Sequence, residues 1–133
     1  MSERHLGGCL CGAVRYQVDG PLRPVINCHC GMCRRFHGHF GAYTAASRGD
    51  LSWSGSGEPS GSQSSPRAKR GFCPRCGSSL FWQEKDSGKI SIAAGSLDEP
   101  TGLRAAAHIY VAHKGDYYDI EDQLPRWQYS SSS

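Results

Sequence analysis

The chain has 133 residues, with 17 glycines, 7 prolines and 38% hydrophobic residues, which predicts one turn-rich domain of short strands around a modest core. A formal net charge of +3 is too small to indicate a nucleic-acid-binding face. The polar N-terminus lacks a secretory leader pattern, and no apolar run approaches the roughly 20 residues of a membrane helix. We therefore expect a cytoplasmic protein that binds neither nucleic acid nor membrane.

Most predicted elements are strands, because apolar and polar residues alternate in short runs separated by turn signals. At most one turn of helix fits "MCRRF" or "IEDQL". In chain order the pattern predicts strands in "AVRYQVD", "RPVIN", "HFGAYTA", "DLSWSG", "SSLFWQE", "KISIAAGSL" and "AHIYVAHK".

The remaining segments are predicted to be loops or ends. The serine- and glycine-rich stretch 54–65 indicates a loop or a weak edge strand, and the basic run "RAKR" a solvated loop. We expect one domain over residues 1–128 and a disordered tail over residues 129–133. A flat sheet edge near Ile109 is a candidate dimer contact, so the prediction is a monomer or a homodimer.

The seven cysteines are the most informative feature of the chain. In a reducing compartment, an odd number of clustered cysteines indicates metal binding or catalysis rather than a disulfide framework. They form three groups: Cys9 with Cys11, Cys28 with Cys30 and Cys33, and Cys73 with Cys76.

The motif "FCPRCG" around Cys73 and Cys76 is typical of a zinc knuckle, since its tight turn points backbone N–H groups at the two sulfurs. A structural zinc needs two more ligands, and "CLCG" offers Cys9 and Cys11. We interpret these four as a closed structural zinc site. The alternative is a turn with unmetallated cysteines.

This assignment leaves Cys28, Cys30 and Cys33 without a fourth cysteine, and three ligands with one open position are the layout of a catalytic zinc. Two alternatives remain at this point. A nearby histidine closes the site, or the three cysteines are ordinary buried thiols. His29 is expected to point away from its neighbours on an extended segment. The other nearby histidines are His37 and His39.

A zinc with three thiolates carries a net charge of −1, so it activates water poorly and suits a soft fourth ligand such as an external thiol. A thiol bound there loses its proton and becomes a nucleophile. Arg34 and Arg35 follow the cluster and are candidates to offset its charge or to bind a carboxylate of the thiol. The alternative is that both are solvated surface arginines.

The motifs "GGCLCGAVRY", "CHCGMCRRFHG", "RGFCPRCGSSLFW", "ISIAAGSLDEP" and "HIYVAHKGDYYDIEDQLPRW" resemble the glutathione-dependent formaldehyde-activating enzyme family, which shares its domain with centromere protein V. The likeness runs from about residue 5 to residue 128. It implies a mainly β fold, a β-tent of stacked antiparallel sheets that methionine sulfoxide reductase B also has. It also implies that a structural zinc bound by the four cysteines stabilises this fold, and that a second, labile zinc is bound by the other three cysteines.

The resemblance further implies addition of the glutathione thiol to formaldehyde, giving S-hydroxymethylglutathione, which is formally the chemistry of a carbon–sulfur lyase. In that mapping Cys28, Cys30 and Cys33 are the catalytic candidates. The weaker candidates for binding glutathione or moving a proton are Arg34, Arg35 and His37.

Other functions remain open on the sequence. They are a non-enzymatic zinc-binding module, a lyase or hydrolase acting on another small electrophile, and a redox pair of Cys30 and Cys33. Four aromatic residues at strand spacing favour a core position over a place in the pocket. These are Tyr43, Trp53, Phe72 and Trp82.

Overall fold

The computed structural model describes residues 3–130, and in this range the chain is mainly β, with one short α-helix. There are three 3₁₀ turns in this range: Arg48–Asp50 and Ala94–Ser96 lie between strands, and Val111–His113 follows the last strand. The helix is α1 (Gly31–His37). The strands are β1 (Arg4–Gly8), β2 (Arg15–Asp19), β3 (Val25–Cys28), β4 (Gly41–Ser47), β5 (Leu51–Ser54), β6 (Ser60–Ser65), β7 (Ala68–Phe72), β8 (Ser79–Glu84), β9 (Lys89–Ala93) and β10 (Ala105–Ile109).

Two stacked sheets contain these strands. The smaller sheet has the order β1-β2-β5, and the larger has the order β10-β3-β4-β9-β8-β7-β6. Neighbouring strands are antiparallel except for β10 and β3, which pair in parallel. The prediction of antiparallel sheets is therefore wrong for this one pair. The long connection from β9 brings β10 back beside β3 in the same direction, as a parallel pair requires.

On β2 and β9 the alternation read from the sequence places the core residues correctly. On β2 and just before it, Val14, Tyr16 and Val18 are at most 1% exposed. They pack in one cluster with residues of the larger sheet, including Ile90 and Ile92. Alternate residues of a strand share a face, so these apolar faces meet between the two sheets.

Two segments differ from their sequence-based descriptions. The run "RAKR", predicted to be a solvated loop, enters β7, and Arg70 within it is buried. The N-terminal segment forms β1, which the alternation did not indicate. In contrast, the stretch 54–65 ends in β6 at the edge of the larger sheet, which agrees with the weak edge strand.

Helix α1 is longer than the single turn expected from "MCRRF", while "IEDQL" has no helical structure. Capping explains the extra turn. The Cys30 sulfur accepts a hydrogen bond from the Cys33 N–H at the start, and Gly38 adopts a left-handed conformation (φ 82°) at the end. A helix of seven residues is too short to show a period in the sequence.

The sheet edge near Ile109 is covered by the chain's own C-terminal segment. The Trp127 N–H donates to the His108 carbonyl at 3.0 Å, and the Tyr110 N–H donates to the Tyr129 carbonyl at 2.7 Å. The expectation of a free edge for a dimer is therefore wrong at this place. Tyr129 belongs to the predicted tail, of which residues 131–133 lie outside the described range. Within residues 3–130 no helix is long and apolar enough to cross a membrane.

Candidate metal centres and their cavity

The first cysteine cluster consists of Cys9, Cys11, Cys73 and Cys76, whose sulfurs all lie within 4.8 Å of one another. The Cys9 and Cys11 sulfurs are 3.6 Å apart, and those of Cys11 and Cys73 are 3.8 Å apart. Ligands at about 2.3 Å from a tetrahedral zinc are separated by about 3.8 Å. The four sulfurs therefore fit one four-coordinate metal ion.

Hydrogen-bond donors around this cluster favour the thiolate form. The Val14 N–H donates to the Cys9 sulfur at 3.3 Å, and the Arg75 N–H donates to the Cys73 sulfur at 3.4 Å. The Ser78 hydroxyl lies 3.1 Å from the Cys76 sulfur and is the main cause that lowers the pKa of Cys76 to about 5. Of these donors, the Arg75 N–H in the turn between Cys73 and Cys76 is of the kind that the zinc-knuckle motif predicts.

The second cluster comes from one junction between a strand and a helix. Cys28 ends β3, Cys30 caps α1 and Cys33 lies in its first turn, and their sulfurs lie within 4.8 Å of one another. The structure thus brings the three predicted catalytic cysteines together, in a group separate from the four-cysteine cluster.

Three sulfurs this close cannot all ionise without a cation. A hydrogen bond from Cys28 holds the pKa of the Cys30 thiol well below its usual value, and the same bond raises the pKa of Cys28 far above it. For Cys33, the hydrogen bond with Cys28 lowers the pKa, but the hydrogen bond with Cys30, burial and the charge of Cys30 together outweigh it, so the pKa of Cys33 is raised. A soft divalent metal removes this conflict, and a set of three thiolates suits zinc.

No histidine of the described range belongs to either cluster. His29 is fully buried and points elsewhere, with Nδ1 2.6 Å from the Tyr118 hydroxyl and Nε2 2.8 Å from Nδ1 of His108. Burial, followed by the charge of His108, lowers the pKa of His29 to about 4. The expected orientation of His29, away from the cysteines, agrees with these contacts.

The other two nearby histidines also have tyrosine partners. His37 Nε2 lies 2.6 Å from the Tyr43 hydroxyl, and His39 Nδ1 lies 2.8 Å from the Tyr117 hydroxyl. These contacts leave the alternative of a histidine fourth ligand without support in residues 3–130.

A cavity of about 360 Å³ opens beside the second cluster, with all three of its cysteines in the wall. Tyr43 and Trp82, which strand spacing favoured as core residues, line this cavity. Trp53 instead packs at 5.7 Å from the Phe81 ring, as a core residue does.

The arginines that line the cavity are not the ones that the sequence indicated. Arg34 and Arg35 lie on α1 and do not contribute to the wall, whereas Arg23 and Arg70 do. Arg70 Nη1 donates to the Cys33 sulfur at 3.5 Å and to the Tyr43 hydroxyl at 3.4 Å. The sequence did contain a signal for the burial of Arg70. Alternation over the strand Ala68–Phe72 places Arg70 on the same buried face as Ala68.

Comparisons with known proteins identify the fold and the family of the chain. A crystal structure of a Rhodobacter sphaeroides protein matches with a TM-score of 0.61 at 24% identity, over 75% of this chain and 97% of that one, and this likeness shows the fold. A protein of Halomonas elongata whose name refers to glutathione-dependent formaldehyde activation is 32% identical, over 88% of this chain and 81% of its own length. The family described as glutathione-dependent formaldehyde-activating enzyme matches residues 4–113. The chain therefore belongs to the glutathione-dependent formaldehyde-activating enzyme family.

Proposed function

We propose that this protein is a zinc-dependent carbon–sulfur lyase that forms or breaks a thiol adduct, such as S-hydroxymethylglutathione from glutathione and formaldehyde. The observation that carries the proposal is the cavity whose wall contains the three sulfurs of Cys28, Cys30 and Cys33. A three-sulfur cluster next to a space for a small molecule provides both a metal site and room for its fourth ligand.

The two clusters have different roles in this proposal. Cys9, Cys11, Cys73 and Cys76 hold a structural zinc, while Cys28, Cys30 and Cys33 hold a labile one. These three cysteines would hold the ion, which would lower the pKa of an external thiol and so supply a thiolate for attack.

Tyr43 and His37 are the pair best placed to hold a proton beside the cavity. Burial, with the charge of Cys33, raises the pKa of Tyr43, so its hydroxyl remains protonated at neutral pH. Burial, with the charge of Arg70, lowers the pKa of His37 to about 4, so its ring remains neutral. His37 Nε2 lies 2.6 Å from the Tyr43 hydroxyl, so the neutral ring keeps that hydroxyl in a fixed position beside the cavity.

Glutathione is the proposed thiol substrate, and its carboxylates need cationic partners. Arg23 lines the cavity, and Arg34 and Arg35 on the neighbouring helix remain predicted contacts for the outer part of the peptide. Such contacts between guanidinium and carboxylate groups provide specificity as well as binding energy.

A second candidate function is addition of a thiol to a larger electrophile than formaldehyde. It is favoured by the apolar side chains Ile26, Met32 and Ile109 in the cavity wall. Formaldehyde has no apolar group to pack against these side chains, whereas the substituent of a longer aldehyde does.

Two-dimensional exchange NMR on glutathione and formaldehyde tests the proposal. We expect the zinc-loaded protein to accelerate exchange between free and hydroxymethylated glutathione, and a Cys30→Ala variant to lose this effect. No acceleration by fully loaded protein excludes formaldehyde with glutathione. A series of longer aldehydes in the same assay then separates the second candidate from a non-enzymatic zinc-binding module.

The proposed setting is a reducing compartment such as the cytoplasm, because both clusters require reduced cysteines and all seven are free of disulfides in the described structure. We propose a monomer or a homodimer, in which a dimer does not pair through the covered edge near Ile109, and size-exclusion chromatography with light scattering would decide between the two.

A further inference from the structure

Arg70 is a buried cation without a carboxylate partner. Its residue surface is only 6% exposed, and it lies on β7 opposite Trp82 of β8. In the described part of the chain no salt bridge includes Arg70, and its Nε atom is buried without a hydrogen-bond acceptor. A buried charge is costly unless other groups compensate for it, so the position of Arg70 requires a reason.

The compensating charge comes from the three-cysteine cluster. Arg70 Nη1 lies 3.5 Å from the Cys33 sulfur, and the guanidinium carbon lies 5.6 Å from the centre of the Phe36 ring. Burial alone would lower the pKa of Arg70, but the charges of Cys33 and Tyr43 raise it, so the guanidinium remains charged. Arg70 therefore brings a permanent positive charge to the edge of the cluster and into the cavity wall.

The distance from the sulfurs indicates which part of a substrate Arg70 meets. A thiol that filled the open position of the cluster would have its sulfur close to those of the three cysteines, and Arg70 Nη1 lies 3.5 Å from the sulfur of Cys33. The carboxylates of glutathione are many bonds away from its sulfur. The oxygen of an electrophile under attack is one carbon away from the sulfur, within reach of a group that contacts the cluster.

We propose that Arg70 stabilises the negative oxygen that develops on the electrophile when the thiol adds to it. This inference rests on the proposed function and names a catalytic residue for it. In the addition, the thiolate electron pair forms the carbon–sulfur bond and the π pair of the C=O bond moves onto oxygen. That oxygen then takes the proton of the Tyr43 hydroxyl, which lies 3.4 Å from Arg70 Nη1. The proton released when the next thiol ionises restores Tyr43, so atoms and charges balance.

Kinetics of an Arg70→Met variant test the catalytic part of this inference. Loss of a donor to a developing oxyanion typically lowers kcat by about 100- to 1,000-fold. We expect a fall of about 100-fold in kcat with KM changed by less than about three-fold, and partial recovery in Arg70→Lys, which retains the charge. Lys69→Met is the matched control, because Lys69 is adjacent in β7 but exposed. An unchanged kcat in folded Arg70→Met, confirmed by thermal melting, would overturn the inference.

A binding measurement makes the inference testable without turnover. Calorimetry on zinc-loaded protein compares thioglycolate, which has a negative oxygen close to its sulfur, with the neutral thiol 2-mercaptoethanol. A charge-assisted hydrogen bond to Arg70 implies that thioglycolate binds with about ten-fold or more higher affinity than 2-mercaptoethanol, both in the wild type and in Lys69→Met. We expect this preference to disappear in Arg70→Met, and its retention there, or its absence in the wild type, contradicts the role.

The two measurements separate this inference from the proposed function. If the wild type accelerates no exchange, the lyase proposal fails, while the thioglycolate preference still decides whether Arg70 holds an anion beside the sulfur. If Arg70→Met does not fold, Arg70→Lys takes its place. The preference is then expected to fall by about three-fold, because lysine lacks the planar fork of donors, and an unchanged preference counts against Arg70.

Discussion

The two cysteine clusters of this protein differ in how the chain assembles them. The four-cysteine cluster joins the segment after β1 to the turn between β7 and β8, and its members Cys11 and Cys73 are 62 positions apart. The three-cysteine cluster comes from residues 28–33, at a single junction between a strand and a helix.

The two clusters also differ in their surroundings. The first has a complete set of four sulfurs and receives hydrogen bonds from backbone N–H groups and Ser78. The second has three sulfurs, a cavity beside them and a buried cation in contact with Cys33. A metal in the first cluster closes a long loop and stabilises the fold, whereas a metal in the second leaves one position for a ligand.

The largest expected effect is on the stability of the protein when one cysteine of either cluster is replaced. We expect Cys76→Ala to unfold or become insoluble, because a structural zinc contributes on the order of 10–16 kcal/mol in peptide hosts and Cys76 closes its site. Cys30→Ala, the matched change in the other cluster, should lower stability by only about 1–2 kcal/mol. Melting temperature and zinc content measure both variants. An unchanged melting temperature and zinc content in Cys76→Ala would show that the first cluster is not structural.

Metal removal provides the second test of the comparison. Elemental analysis before and after dialysis against a mild chelator should show loss of the zinc at the three-cysteine cluster and retention of the other, because an open site releases its ion more readily than a closed one. Added glutathione should slow this loss by filling the open position. The comparison fails if both ions leave at the same rate, and Cys30→Ala serves as the control that lacks the labile ion from the start.

A third test concerns the hydrogen bonds of His29, which lies between two cysteines of the three-cysteine cluster. His108 is 3% exposed and joins His29 to Asp122, with its Nε2 2.9 Å from Asp122 Oδ2. We expect His108→Ala to cost about 2–3 kcal/mol, since it leaves the buried His29 ring without one of its partners. Chemical denaturation with zinc in excess measures this cost. Exposed His113 is the control, for which a change to alanine should cost about 0.5 kcal/mol or less.

The smallest expected effect is a dependence of stability on pH through His37. Its pKa is lowered to about 4 by burial and by Arg70, while the charge of Cys30 opposes the shift. A lowered pKa in the folded state means that the unfolded chain binds more protons, so this contribution is present above about pH 6.5 and is lost as the pH falls towards 4.

His37→Gln removes this titration. Between pH 7 and pH 5 we expect the wild type to lose about 1 kcal/mol more of its free energy of unfolding than the variant, a value reduced because solvent screens the partly exposed ring. Denaturation of both proteins at the two pH values, with zinc in excess, measures the difference. Equal losses would show that burial and Arg70 do not hold His37 neutral.

Several features of the fold and the site could be predicted from the sequence because their signals are local. Alternation over "AVRYQVD" and "KISIAAGSL" identified strands β2 and β9 and their buried faces. Cysteine spacing separated a set of four from a set of three, and the structure brings each set together. The motifs around these cysteines also identified the family.

Other features depend on neighbours that are distant in the chain. The basic run "RAKR" is typical of a solvated loop, whereas buried Arg70 is compensated by Cys33 and Tyr43, which are distant from it in the chain. Tyr43 and Trp82 have the spacing of core residues, but the cavity opens on their side of the sheet.

The sequence by itself determined the cysteine sets, the buried faces of β2 and β9, and the family, since each depends on residue types at short spacing. Only the tertiary structure decided that β10 runs parallel to β3, that residues 125–129 cover its edge, and that Arg70 rather than Arg34 or Arg35 contacts the cluster. The physical reason is that sheet order and register are set by packing between segments far apart in the chain. A local pattern can indicate which face of a strand is buried. It does not indicate which charged residue of another segment contacts that face.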